Sequence, residues 1–225
     1  MKPRTMIAKA DVPGGGELKL YERDGAFSIM LGSNELMNSR LSGSEAALAT
    51  LAWDKMPKGA WPKLLIGGLG MGFTLRAALA VMPADAEIVV AELVPAVVEW
   101  ARGPMAALFA GSLDDPRVTV IVADVAELIE AQQKRWDGIL LDVDNGPEGL
   151  SRPGNDWLYR RPGLIAIRQA LRAGGVLAVW SSAPDGPFTN RLKRSNFAVE
   201  EKVVRANGDR GGSRHVIWLA VPEWK

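Results

Sequence analysis

The chain has 225 residues, 48% of them hydrophobic, and no cysteine. That is enough for one large domain, or one domain with a small appendage, and the composition is globular rather than disordered. The missing thiols exclude a disulfide framework, a thiolate zinc site and a cysteine nucleophile. With 27 basic and 26 acidic residues the net charge is +1, far from the basic footprint of a nucleic-acid-binding protein.

The N-terminus, MKPRTMIAKADVPGGGE, lacks a continuous apolar segment, and no later apolar run escapes Gly, Pro or charge for long enough to cross a bilayer. The expectation is a cytoplasmic chain with no signal peptide and no membrane contact. Residues 17–32, ELKLYERDGAFSIMLG, alternate apolar and polar around Asp24-Gly25. Asp-Gly supplies the positive φ angles of a tight reversal, so this stretch predicts a β-hairpin. Residues 42–55, SGSEAALATLAWDK, predict a helix, with Ser42 as N-cap, Glu45 three residues on completing a capping box, and Pro57 and Gly59 ending it.

From residue 63 short apolar runs alternate with helical stretches. KLLIGG, EIVVAE, RVTVIVAD, WDGILLD and VLAVWSS read as strands. The stretches FTLRAALAVM, PAVVEWARGPMAALF, VAELIEAQQKR and GLIAIRQALRAGG read as helices, the second with Pro95 at a tolerated first-turn position. Near-continuous apolar strands alternating with helices mean a parallel sheet covered on both faces. RLKR, residues 191–194, reads as a solvated helix face. Residues 197–206 and 213–221 form two further β-runs around NGDRGG, a terminal antiparallel hairpin. The expected organisation is a β-hairpin and connecting helix over residues 1–58, then a nucleoside-binding catalytic domain over residues 59–225. A mostly parallel α/β sheet with a C-terminal antiparallel hairpin resembles the Rossmann-like class I methyltransferase fold, in which ligands bind at the carboxyl ends of the strands.

Those strand ends carry the candidate site residues. Gly67, Gly68, Gly70 and Gly72, in LLIGGLGMGF, close the first long strand. Glycine there permits a sharp turn and close approach of a ligand. The spacing misses the dinucleotide fingerprint, whose last position falls on Phe73, and no Lys-Ser/Thr pair follows for a phosphate loop. It fits a loop cradling the amino-acid part of an adenosylmethionine-type nucleoside, and a glycine turn required only for packing has the same spelling. Glu92 ends the second strand, where a carboxylate can accept both ribose hydroxyls or simply favour a helix N-terminus. Asp124, followed by Val125, ends the third and can accept from the adenine amine or cap the next helix. Each residue is ambiguous by itself, but three successive strand ends carry the types that glycine loop, ribose and adenine require. Asp142 ends the fourth strand, beside the position of the nucleoside's reactive end.

Taken together, the ERDG turn, GGLGMG, VVAELVP, ADVAELI, WDGILLDVDNGPEG, DWLY and LRAGGVLAVWSS resemble the spermidine synthase (polyamine aminopropyltransferase) family over most of the chain. The resemblance implies that residues 67–72 form the first loop, Glu92 the ribose acid, Asp124 with Val125 the adenine contact and Asp142 the catalytic base. Tyr159 matches an aromatic residue after the fourth-strand loop. Asp144, Asn145 and Glu148 are the candidates for holding the acceptor, with Asp156 a further candidate for its far end. The co-substrate implied is decarboxylated S-adenosylmethionine, the acceptor a small amine, the assembly a homodimer, and no metal is expected. This chain also departs from the family. Gly70 stands where the family has an aspartate that holds the transferred chain's ammonium, and Asn145 stands for the second aspartate of Asp-x-x-Asp. The family's Tyr-His-Glu stretch has no counterpart in SEAALATLA. The only histidine, His215, lies in the apolar run RHVIWLA and reads as a structural or surface residue rather than a base. Two rival readings share these residues: methyl transfer from S-adenosylmethionine on the same fold, and a non-catalytic nucleoside-binding relative.

Overall fold

A computed structural model describes residues 3–143, 146–147, 156–208 and 211–223. The N-terminal element is a four-stranded antiparallel meander, larger than the expected hairpin. It comprises β1 (Thr5–Asp11), β2 (Glu17–Arg23), β3 (Ala26–Leu31) and β4 (Asn34–Asn38), paired in chain order. The Asp24-Gly25 turn has positive φ at both residues, 52° and 75°, and joins the paired residues Arg23 and Ala26. This is the backbone sense that matches strand twist. The two outer strands lack the alternation that announces a half-buried strand: none of their residues is buried, and β1 is mostly exposed.

One face of this sheet, through Leu18, Leu20, Phe27 and Ile29, packs into the same core as α1 (Gly43–Lys55), which contributes Leu48, Ala49 and Ala52. Ser42 occupies the N-cap of α1, but its side chain makes no capping hydrogen bond. The expected capping box is not formed. The Glu45 carboxylate instead accepts a hydrogen bond from Ser44 Oγ at 2.7 Å, and Ser44 is fully buried.

The second sheet carries the parallel strands β5 (Lys63–Gly67), β6 (Glu87–Glu92), β7 (Val118–Val122), β8 (Trp136–Leu141) and β9 (Leu171–Ser181). It is completed by β10 (Phe197–Arg205) and β11 (Arg214–Pro222), in the order β10-β11-β9-β8-β5-β6-β7. β11 is antiparallel to both its neighbours, as the terminal hairpin requires. Strand order reverses between β5 and β8, so the crevice of an open α/β sheet falls there. The central strands are buried on both sides: Leu64 and Ile66 belong to one core and Leu65 to the other.

The helices divide between these faces. α1, α2 (Phe73–Val81), α3 (Pro95–Arg102) and α4 (Ala106–Phe109) cover one side; α5 (Val125–Glu130), α6 (Asp156–Tyr159), α7 (Arg161–Ala170) and α8 (Gly186–Arg194) cover the other. The stretch read as a single helix around residues 95–109 is split into α3 and α4 at Gly103-Pro104, because proline removes an amide donor. α7 stops at Ala170 rather than running to the later glycines. Leu171 turns extended and pairs with Trp136, opening β9 four residues before Gly175. Of the basic run in α8, Leu192 is buried and Arg191 donates to the Tyr159 carbonyl at 2.9 Å, so the helix face is only partly solvated. No helix among the described residues is long and apolar enough to cross a membrane.

Because the small sheet and the large one share a core, truncating Leu20 should weaken both together. Leu20→Ala is expected to cost about 2–5 kcal/mol. Chemical unfolding followed by far-ultraviolet circular dichroism and tryptophan fluorescence should remain one coincident transition. Two separated transitions would mean that the sheets unfold independently.

Candidate active site

The carboxyl ends of β5 and β8 approach so closely that no side chain fits between them. Gly68 has φ +92°, and a Cβ on it would lie 2.4 Å from the Asp142 carbonyl oxygen. The strand pair is locked there by Asp142 N–H donating to the Gly67 carbonyl at 3.0 Å. Gly72, the N-cap of α2 with φ +76°, leaves space that a Cβ would contest with the Phe109 ring at 2.5 Å. Part of the glycine pattern is therefore demanded by packing, as its plainer reading allowed. Gly68 and Gly70 line the crevice with bare backbone.

Glu92, at the end of β6, is buried. Its Oε2 accepts from Leu69 N–H at 2.9 Å and its Oε1 from Val94 N–H at 2.9 Å, so one carboxylate staples the glycine loop to the turn preceding α3. Burial raises its pKa, and the backbone amides of Val94, Leu69, Gly70 and Leu93 oppose that rise. The carboxylate also lines the crevice, where a ligand would meet it. Asp124 caps α5, its Oδ1 accepting from Ala126 N–H at 2.9 Å. Capping and facing a ligand are compatible here, because Asp124 also lines the crevice.

That crevice is lined by Gly68, Gly70, Glu92, Asp124, Val125 and Asp142, and the N-terminal sheet roofs it with Leu18, Ile29, Leu36 and Met37. Six of the residues picked out from strand ends thus face one space, while a Cβ on Gly67 would press on the Val125 side chain at 3.0 Å. Tyr159 is not brought to them. It lies in the opposite core, edge-on to Phe188 at 5.7 Å between ring centroids, because α6 turns both Leu158 and Tyr159 inward. Asp144, Asn145 and Glu148 lie outside the described residues.

An adjoining recess brings Gly70 and Asp142 together with Glu45, Phe73, Met37 and Trp180. Thr74 Oγ1, in the first turn of α2, donates to Asp142 Oδ2 at 2.8 Å. Burial and the nearby Glu45 carboxylate push Asp142 up to about 7, against the lowering effect of the Thr74 hydrogen bond. Burial also raises Glu45. Two acids that cannot both ionise cheaply, at a recess beside a glycine loop, form a pair suited to hold a cation or to take up a proton. Glu45 and Thr74 were missed as site residues. Glu45 fitted a capping pattern, and it sits in the stretch where no counterpart of the family's upstream motif was legible. A single threonine after a glycine loop carries no signal of its own.

An open, mostly parallel sheet with its crevice at the switch point and a terminal antiparallel hairpin is a Rossmann-like fold of the class I methyltransferase type. The spermine/spermidine synthase domain matches residues 56–194, and the chain belongs to that family. It is 37% identical over 173 residues to putrescine N-methyltransferase 2 of Nicotiana attenuata, covering 75% of this chain and 43% of that protein. It is 29% identical over 145 residues to a polyamine aminopropyltransferase of Korarchaeum cryptofilum, covering 64% of this chain and 42% of that protein. The chain thus spans under half the length of these curated relatives. Among solved structures, spermidine synthase from Thermotoga maritima superposes with a TM-score of 0.74 at 20% identity, covering 96% of this chain and 72% of that one. A probable spermidine synthase from Corynebacterium glutamicum gives a TM-score of 0.64 at 15% identity, covering 100% of this chain and 82% of that one. At these identities the structural likeness speaks for the fold.

The raised pKa of Asp142 has a consequence for stability. Between its ordinary value of 3.8 and about 7 the unfolded chain has lost the proton that the folded chain retains, so stability falls as pH rises through that window and then levels off. Asp142→Asn cannot titrate. Its melting temperature should exceed that of the wild type by a margin that grows from about pH 4 to about pH 7 and is constant above. A margin independent of pH across thermal melts would show that Asp142 titrates normally.

Proposed function

We propose that this chain is a transferase that binds an adenosylmethionine-type nucleoside in the crevice and transfers an alkyl group from its sulfonium to a small amine. The nucleoside reading is supported by what the crevice offers. Gly68 and Gly70 line it with bare backbone, Glu92 supplies a carboxylate on the side read as the ribose side, and Asp124 with Val125 lines the side read as the adenine side. The observation that carries the acceptor reading is the Asp142–Glu45 pair at the adjoining recess, with Asp142 raised to about 7.

An amine arrives as ammonium and must shed a proton before it can attack. Asp142, as carboxylate, attracts and orients the cation and takes that proton. The freed nitrogen lone pair then forms a bond to the carbon next to sulfur, the carbon–sulfur bond breaks, and its electrons return to sulfur, converting sulfonium to neutral thioether. A general base so placed contributes about 10² to 10⁴ in rate.

Decarboxylated S-adenosylmethionine, with aminopropyl as the transferred group, is the co-substrate best served by the recess. Glu45 reaches from α1 to the side of Gly70 and provides the carboxylate that the loop lacks at that position. The second reading, methyl transfer from S-adenosylmethionine, is favoured by Gly70 itself, which puts no carboxylate beside the parent's own, and by the putrescine N-methyltransferase relatives.

Thermal shift decides the shared premise. S-adenosylmethionine, its decarboxylated form or methylthioadenosine should raise the melting temperature, and no shift with any of them would remove nucleoside binding. Tighter binding of the decarboxylated form selects aminopropyl transfer, and tighter binding of the parent selects methyl transfer.

Turnover should rise with pH through an acid limb near 7, as Asp142 ionises. Glu45→Gln removes a neighbouring charge and should move that limb to lower pH. Thr74→Val removes a hydrogen bond to the carboxylate and should move it to higher pH. Asp142→Asn should lose about 10²-fold or more in kcat while keeping nucleoside affinity. Unchanged turnover in that variant would take Asp142 out of the mechanism.

A further inference from the structure

The first turn of α1 is tied to the C-terminal strand by a hydrogen-bonded chain. His215, on β11, lies two and four residues before Ile217 and Leu219, which point into the core on the α1 side of the sheet. Its Nδ1 is 2.9 Å from Ser44 Oγ, and Ser44 Oγ is 2.7 Å from Glu45 Oε2. A hydroxyl has one proton to donate. With that proton given to the Glu45 carboxylate, Ser44 Oγ can only accept from the imidazole, so Nδ1 carries the hydrogen. Burial pushes the imidazole pKa below its ordinary value, leaving the ring neutral at neutral pH. The Trp180 ring, edge-on at 4.8 Å between centroids, sets the imidazole plane.

The charged side chains around His215 do not compete for it. On β10 its partner is Val204, and beyond that Lys202 and Glu200 pair with each other at 2.6 Å. Lys55, from the last turn of α1, also pairs with Glu200 at 3.1 Å. On β9 the neighbouring residue on the same face is Trp180. Among the described residues, the carboxylate that the imidazole reaches, through Ser44, is Glu45.

We infer that His215 is a positioning residue for the acceptor site: acting through Ser44, it aims the Glu45 carboxylate at the recess it shares with Asp142. The inference rests on the reading of Glu45 and Asp142 as the amine site. Without the imidazole donor, Ser44 Oγ has no fixed direction for its hydrogen, and Glu45 is free to turn toward solvent. The expected kinetic effect is a KM for the amine raised roughly 3- to 10-fold, the worth of one hydrogen bond, with affinity unchanged for methylthioadenosine, which has no ammonium for Glu45 to hold.

The test uses the full, untagged chain, in which His215 is the only histidine and gives a single set of imidazole resonances. Nitrogen-15 spectra of the wild type near neutral pH should show the Nδ1-protonated tautomer, and Ser44→Ala should lose it. Carbon-13 titration of the Asp142 carboxyl should give a lower pKa in His215→Phe, because the Glu45 charge has moved away. His215→Asn, which keeps a donor near the Nδ1 position, should restore both that titration and the amine KM. An Nε2-protonated wild type, an unshifted Asp142 in His215→Phe, or equal losses in the Phe and Asn variants would overturn the inference. The two spectroscopic measurements need no turnover, so a chain that transfers nothing would overturn the proposed function while leaving the positioning role decided.

Discussion

The crevice depends on how closely the ends of β5 and β8 approach. Parallel neighbours on either side of a reversal in strand order must leave in opposite directions, which opens a gap beyond their carboxyl ends. Here the gap is bounded by Gly68 against the Asp142 carbonyl, with no room for a β-carbon. The absent side chain lets the backbone of the glycine loop face the crevice. The Asp142 amide, bonded to the Gly67 carbonyl, fixes where its own side chain emerges. Glu92 then ties the loop to the next strand through two backbone amides. The positions of Gly70, Asp124 and Val125 are meaningful because this frame is rigid.

On the frame, electrostatics separates the three acids. Burial raises the pKa of Glu92, against the pull of the amide donors that ring it. Asp142 is disfavoured as a charge by burial and by the facing Glu45 carboxylate, with the Thr74 hydroxyl opposing both. Asp124 is engaged by the first turn of a helix. Three carboxylates at three strand ends thus sit in three settings: one lined by backbone amides, one capping a helix, and one facing a second carboxylate.

The roof of the crevice and the recess beside Asp142 are built from residues far away in the chain. The N-terminal meander contributes Leu18, Ile29 and Met37 to the crevice, α1 contributes Glu45, and β11 reaches Glu45 through His215 and Ser44. Packing α1 against α2 and the sheet delivers Glu45 to Asp142, while also burying Leu48, Ala49 and Ala52. Stability and site geometry are carried by the same contacts.

Most of the strand-end chemistry was legible in the residue order, because a parallel strand must end at the crevice and the residue that ends it is therefore exposed to ligand. Gly68, Glu92, Asp124 and Asp142 could be read that way, as could the Asp24-Gly25 turn, whose backbone angles are local. Glu45, Thr74 and His215 could not be read, since each owes its role to a neighbour distant in sequence, and the local pattern around Glu45 pointed to a capping box instead. Tyr159 failed for the converse reason: its place after the loop matched, but the packing of α6 turned it into the opposite core. By itself the sequence determined the sheet, the strand ends and which acids stand at them, Asp142 at the crevice among them. Tertiary structure decided which second carboxylate faces that acid and how its pKa is shifted, because charge coupling depends on distance in space and on burial.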